Sequence, residues 1–415
     1  TNEWADRFNR TKQAINSDDI NVIFEGAFKY LNTEVRTDVL IRKKKGWELL
    51  EAKSSTKLKD EHIPDVAIQS FIVKSCGVNL SSIKLIHINK NFTLENDGDY
   101  KDLVNDENDI TSKIIEIEKE IPNYIKDLIP LANKNSPCPI IAMGDHCKNP
   151  YPCDYQDRCK SLLPKSNVTS YSILPYKSKE LKEYCKEKEI IDLQNVPTKF
   201  LNEKHNHRNI QEAHKTDKPW FSKNLKNVFK DFSFPFYFMD FETVGQVVPT
   251  IIGTTPYYPL PFQWSVHKWE SKDKEIDKGK YFLKFNDQDI EHQFIESLLK
   301  ALGEKGTIFA HNATGTEIKI LEKLKEKDSC KDLSGKIDNL INRVEDSAII
   351  AKHNFYSPLM NGDWGIKSII KAIPDSGVSY DEEDNIAGGY DAGLAWFIYT
   401  DPKTSNNDKE KQKRL

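Results

Sequence analysis

Glu51 and Lys53 lie two residues apart in WELLEAKSST, where Trp47, Leu49 and Leu50 supply the apolar bulk of a strand. On a strand, residues two apart point to one face. A carboxylate beside an ammonium at a strand end is commonly a surface ion pair. Asp38, on the preceding strand in RTDVLI, widens that reading. Asp38 and Glu51 can converge on one cation, with the Ala52 carbonyl nearby. A hard divalent cation, Mg²⁺ or Mn²⁺, takes oxygen ligands, polarises a phosphate and lowers the pKa of bound water. Lys53 would then orient or activate the attacking water, and Gln69 on the next helix could face the same site. These residue types suit metal-assisted phosphodiester hydrolysis.

A second acidic group stands in the other half of the chain. FYFMDFETVG is an apolar strand carrying Asp240 and Glu242 on one face, with Phe241 turned to the core. GTIFAHNATGTEIKILEKL reads as strand, turn and helix, with Asn312 in the turn and Glu317 on the first helical turn; RVEDSAIIAKHNF adds Asp346. Carboxylates directly after a run of apolar residues are costly unless something neutralises them. Such a group suits two cations ~3.5–4 Å apart that bind the attacking and leaving oxygens.

The third group is cysteine. Seven cysteines without a secretory signal argue against a disulfide scaffold. Cys147, Cys153 and Cys159 cluster in HCKNPYPCDYQDRC, among polar residues that exclude a core role. Clustered thiolates suit zinc or an iron–sulfur cluster. The fourth ligand could be Cys138, Cys76, His146 or a cysteine upstream of Thr1.

The elements that must position these groups follow from periodicity. Residues 21–90 alternate strands and helices. NVIFEGAF is a strand, EVRTDVLIRKKKGWELLEAKSS is a strand pair turning at Lys45-Gly46, IPDVAIQSFIVKSCGV is a helix and SIKLIHINK a strand. DITSKIIEIEKEIPNYIKDLIPLANK is a long amphipathic helix with Ile114, Ile117, Ile121, Ile125 and Leu128 in register. The stretch 166–232 is polar, Lys-rich and helical, and reads as a connector. A fresh alternating pattern starts at FPFYFMDFETVG.

Length and composition bound the rest. The chain has 415 residues, 30% of them charged, and a net charge of −4. This is an ordinary composition for two or three globular domains. No apolar run approaches the ~18 residues of a membrane helix, so the expected location is cytoplasmic. Basic clusters at Arg42–Lys45 and Lys215–Lys230 are balanced by acidic runs such as Asp381–Asp384. A local basic groove can still bind nucleic acid. The chain starts without Met and ends in a charged run, TSNNDKEKQKRL, which suggests a fragment.

The order Asp38, then Glu51-x-Lys53, then a helix with Gln69, resembles the PD-(D/E)XK nuclease core. With Cys147, Cys153 and Cys159 after it, the first half is similar to RecB-like nucleases that carry an iron–sulfur cluster. That resemblance implies one cysteine before the core and three after it, together holding [4Fe–4S]; zinc is the alternative. No cysteine between Thr1 and Asp38 matches the leading one, and Val73 stands where those relatives often have Tyr. The second half resembles RNase H-like exonucleases of the DEDD class, in Asp240-x-Glu242 and in His311-Asn312 before the helix with Glu317. That class places a last Asp on a C-terminal helix. Asp391 in GGYDAGLAWF is the nearest candidate, and the chain is expected to stop before that helix. As a whole the chain resembles a bacterial family fusing the two.

The expected fold class is therefore α/β. Residues 1–165 form a RecB-like domain with the cysteine loop, 166–232 a helical connector, and 233–415 an RNase H-like domain incomplete at its C-terminus. The implied activity is a metal-dependent, exonucleolytic nuclease acting on DNA rather than RNA, with no membrane partner. The alternative is a non-catalytic nucleic-acid-binding protein with structural zinc. Trp264, His267, Cys185 and Cys330 read as core or sheet residues without chemistry.

Overall fold

The computed structural model describes residues 2–162, 168–285, 288–373 and 389–412. The acidic run 381–384 lies outside the described residues. The chain divides into two compact units, Thr1–Lys165 with Val247–Pro256, and Ser166–Gln246 with Tyr257–Leu415. Both are mixed α/β.

The first unit runs α1 (Asn2–Asn16), β1 (Val22–Tyr30), β2 (Thr33–Lys43), β3 (Gly46–Lys53), α2 (His62–Ser75), β4 (Leu80–Ile88), β5 (Val104–Asp109), α3 (Thr111–Leu128) and α4 (Gln156–Ser161). Leu31 and Asn32 join β1 to β2, both with positive φ. This is the two-residue hairpin geometry that matches strand twist. Gly46 opens β3 at φ +138, and a Cβ there would stand 2.5 Å from the Asn79 carbonyl. Only glycine fits that approach. The sheet order is β1-β2-β3-β4-β5. β3 and β4 are parallel, joined through α2, and the other neighbours are antiparallel. Leu40 pairs with Leu49 on the face that packs against Val66 and Ile72 of α2 and Ile114 of α3.

The second unit continues with α5 (Lys179–Glu187), α6 (His207–Thr216), β6 (Trp220–Phe221), β7 (Phe236–Gly245), β8 (Pro259–Trp269), β9 (Lys280–Leu283), α7 (Ile290–Leu302), β10 (Thr307–Ala310), α8 (Glu317–Glu326) and α9 (Ser334–Ile341). It ends with β11 (Val344–Asp346), α10 (Ser347–Asn354), β12 (Phe355–Tyr356), α11 (Ile366–Ala372), α12 (Gly389–Thr400) and α13 (Asn406–Gln412). The main sheet is ordered β11-β10-β7-β8-β9. β10 is parallel to both β7 and β11, while β8 is antiparallel to β7 and β9. Tyr237, Met239 and Phe241 of β7 face a core filled by Phe294, Leu298, Leu321 and Leu324.

One feature differs from the sequence reading. The stretch 166–232 groups with the second unit, and Leu181, Leu193 and Ile210 pack with Tyr356, Met360 and Ala372 in a core of their own. Its short elements each bury one narrow apolar stripe, which an average over a Lys-rich sequence hides. Near the end of the sequence a helix carries Asp391. α12 packs against β7, burying Ala392, Ala395 and Trp396, and the Trp396 ring meets Phe262 at 5.1 Å. Among the described residues no helix is long and apolar enough to cross a membrane.

Candidate active sites

In the first unit, register brings the acids together. Val39 lies opposite Leu50, so Asp38 and Glu51 come next along the same two strands. The Ala52 N–H donates to Asp38 Oδ2 at 2.7 Å. Glu51 is 6% exposed. Lys53 Nζ donates to Glu51 Oε1 at 2.7 Å and also to Asp65 Oδ2 on α2. Burial pushes the Glu51 carboxyl up and Asp38 adds to this, against hydrogen bonds from Lys53 and Gln69; the net is a raised pKa. Burial alone would lower Lys53, but its bonds to Asp65 and Glu51 outweigh that and hold it above its ordinary value. An ammonium so held stays charged at neutral pH. It can orient a water or a phosphate oxygen but cannot take a proton.

The second Glu51 oxygen, Oε2, and Gln69 Oε1 are buried without hydrogen-bond partners. Orphaned buried oxygens are costly. A carboxylate oxygen beside Asp38 is the donor type a hard cation takes. The sequence reading did not single out Asp65. Its signal was the spacing, since Asp65 and Gln69 lie four apart on α2 and therefore on one face.

In the second unit, Asp240 opens to solvent, Glu242 is half-buried and Glu317 is 3% exposed. The surrounding protein pushes Asp240 up, offset by the Phe241 N–H and by His311. Burial and the Asp240 charge bring Glu242 to about 7. Burial brings Glu317 to about 7 as well, with its own backbone N–H pulling down, Asp240 and Asp346 pushing up, and the Phe241 N–H again pulling down. The charge of Asp240 and the Phe241 backbone both act on Glu317, so the two carboxyls lie within electrostatic reach of each other. Asp240 is the group that couples to each of the other two. Glu317 Oε2 is a second orphaned buried carboxylate oxygen.

Asp346 has a different task. It accepts from Asn312 N, Thr314 N and Thr314 Oγ1 at 3.0, 3.1 and 2.9 Å, and from Ala348 N and Ile349 N at 3.0 and 3.4 Å. Burial would raise it, but these bonds win and its pKa is lowered. It caps α10 and closes the 311–314 turn, where Asn312 takes the left-handed φ of +62. That turn carries His311, whose Nδ1 meets Ser347 Oγ at 3.1 Å and whose Nε2 meets the Trp364 carbonyl at 3.0 Å. Asp391 sits in the first turn of α12, the helix packed on β7.

The cysteines share one loop. The Cys153 N–H donates to the Cys147 carbonyl at 3.0 Å, as does the Gln156 side-chain amide at 2.7 Å, and the Cys159 N–H donates to Tyr155 O at 3.1 Å. Tyr151 ties this loop to the residues before α2, donating to Glu61 at 2.9 Å and accepting from Lys59 at 3.0 Å. Cys147 is buried, Cys153 exposed and Cys159 half-buried. Cys76 lies at the end of α2 with its thiol 3.4 Å from the Lys29 carbonyl, and the Cys138 thiol is 3.9 Å from Pro139 O. Among the described residues no three His, Cys, Asp or Glu side chains stand in metal-holding geometry. Cys185 and Cys330 are buried and burial raises both thiols, so they are inert. Trp264 is buried in the sheet core and His267 is exposed on β8.

A family described as "Domain of unknown function (DUF2779)" matches residues 237–365. That span holds Asp240, Glu242, His311, Glu317 and Asp346. No curated protein matches the chain.

Proposed function

We propose that the chain is a metal-dependent nuclease that hydrolyses phosphodiester bonds of DNA, exonucleolytically, with a carboxylate centre in each unit. The observation that carries this reading is the pair of orphaned buried oxygens, Glu51 Oε2 and Glu317 Oε2, each on a carboxyl that couples to a second acid. Evolved cores rarely bury an unsatisfied carboxylate oxygen without a ligand in view. Asp38 and Glu51 would hold a divalent cation in the first unit; in the second, Asp240, Glu242 and Glu317 would have to draw closer around a cation than they stand here, with Asp391 as a further acid. Such a cation, when bound, supplies charge for the phosphate and acidifies water. The chain's own contribution is positional. Lys53 stays protonated and aims its N–H groups at the attacking water or a phosphate oxygen. Asp65 holds Lys53 in place, and the Asp346-capped turn holds His311 and the start of α8 against Asp240.

The element order supports the same reading. α1-β1-β2-β3-α2-β4 is the order expected of a PD-(D/E)XK core, with the acids on β2 and β3. In the second sheet, β9-β8-β7 are antiparallel and β10 and β11 are parallel to β7, the order expected of an RNase H-like sheet. For the cysteine loop the proposal is [4Fe–4S], with zinc as the alternative. As arranged here, Cys147, Cys153 and Cys159 do not complete a site for either.

The test is cleavage of labelled DNA with Mn²⁺ by the chain and by Glu51→Gln and Asp240→Asn variants. Loss in Glu51→Gln assigns the reaction to the first unit, and loss in Asp240→Asn to the second. Full cleavage in both would overturn the reading. DNA binding without cleavage would favour the non-catalytic alternative.

A further inference from the structure

The run that ends the stretch before β7 interleaves aromatic residues, Phe221, Phe229 and Phe232, with lysines, Lys223, Lys226 and Lys230. A 3-10 helix over Leu225–Asp231 lays this run beside the main sheet. There the Phe229 ring stands 6.3 Å from Phe309 of β10, and Phe309 stacks on Phe238 of β7 at 5.9 Å and 24°. The inner ring is 6% exposed, while the outer two, Phe229 and Phe238, are 54% and 38% exposed. Isolated exposed aromatics are ordinary. On this face Phe229 meets the buried Phe309 edge-on at 60° and Phe238 stacks on it, while the main core lies on the opposite face with Tyr237 and Met239; the open surface of Phe229 and Phe238 exceeds what covering Phe309 requires.

The ladder leads to chemistry. Phe238 and Asp240 alternate on one face of β7, about 7 Å apart. Lys223, Lys226 and Lys230 are exposed along the other end, and none forms an ion pair among the described residues. Phe221, eight residues before Phe229 in the same run, meets Phe355 at 5.3 Å and is 55% exposed. Asp231 lies in the same run, and Glu345 pairs with Phe309 across β10 and β11. Flat rings spaced along a strip of unpaired lysines suit one kind of partner. Bases stack on aromatics whatever their sequence, and lysines track the phosphates. A duplex keeps its bases stacked inside and offers no ring to these phenylalanines.

We propose that Phe221, Phe229 and Phe238, with Lys223, Lys226 and Lys230, form a track that binds single-stranded nucleic acid and delivers its end to Asp240. This rests on the reading of Asp240 as a substrate-facing residue. A second copy of the chain or a protein partner is disfavoured because neither explains lysines placed between the rings.

The experiment is fluorescence anisotropy of labelled oligothymidylate with the full chain in EDTA, so that nothing is cleaved. Phe229→Ala should weaken binding about tenfold, the order expected for one lost base stack. The triple variant Lys223→Gln, Lys226→Gln, Lys230→Gln, all surface changes, should lower the salt dependence of log Kd by about 2, from three lost phosphate contacts. Circular dichroism of both variants guards against unfolding. Unchanged affinity in both variants would overturn the proposal. So would an equal loss on a duplex of the same length, or a change of oligomeric state in Phe229→Ala. Because binding is read without metal, a chain that binds through these residues but cleaves nothing fails the nuclease reading while supporting this track.

Discussion

Lys53 and Glu317 carry the account at the level of single residues. Lys53 is held protonated by Asp65 and Glu51, so activity that needs its charge should fall only as pH rises through a raised pKa. Asp65→Asn removes the first of the hydrogen bonds that raise it. The alkaline limb of the pH–rate profile should therefore move to lower pH, with the neutral rate reduced far less than the hundredfold or so expected of Lys53→Met. An unmoved limb would detach Asp65 from the site. Glu317, at about 7, makes a stability prediction. Its folded pKa lies above the unfolded value. Both states are protonated below about 4.5, and between about 4.5 and 7 the unfolded state ionises first. Without added cation, Glu317 therefore destabilises progressively across that window and fully above it. Glu317→Gln should stabilise the protein at pH 8 by about 2–3 kcal/mol, with little effect at pH 4, measured by urea melts. Mn²⁺ at pH 8 should stabilise the second unit of the parent chain more than that of the variant.

At the level of elements, the two helices that complete the sites differ in how far they could be read ahead. α2 was legible because Val66, Ile72 and Val73 recur at helical spacing. Its role followed from Gln69, while Asp65 was missed because an acid early in a helix ordinarily serves the helix dipole. β7 was legible from FYFMDFETVG, and the alternation that turns Phe241 inward and Asp240 outward is what the structure shows. α12 was not, because GGYDAGLAWFIY is apolar on most sides and carries no amphipathic stripe; its burying partner, β7, is some 150 residues away. In the sequence Asp346 reads as one more acid of the second group, and only the turn it folds around, closed by Asn312 and Thr314, reveals a cap. The stretch 166–232 shows the same limit, since its core is completed by Tyr356 and Met360. Two outcomes belong here. Asp391→Asn should lower exonuclease activity of the second unit about as much as Asp240→Asn, with an unchanged melting temperature. Trp396→Ala should destabilise that unit by about 3–5 kcal/mol, because a fully buried ring is removed; a loss below about 1 kcal/mol would show that α12 is not docked.

On the scale of the molecule, a net charge of −4 leaves no general attraction for nucleic acid, so affinity must come from local surfaces. The cysteine loop is tethered to the entry of α2 through Tyr151, Glu61 and Lys59, which couples any metal it takes to the stability of the first site. Elemental analysis of anaerobically purified protein tests the loop: absence of both iron and zinc would remove it from the account, and any metal present should be lost in Cys147→Ser, Cys153→Ser or Cys159→Ser together with a lower melting temperature of the first unit. The most direct measurement is cleavage of an end-labelled single-stranded DNA in Mn²⁺ by the parent chain and by the Glu51→Gln, Glu317→Gln double variant at equal concentration. The account predicts cleavage by the parent that EDTA stops, and at least about a hundredfold less by the variant. Equal cleavage by both, or none by the folded parent, would contradict it.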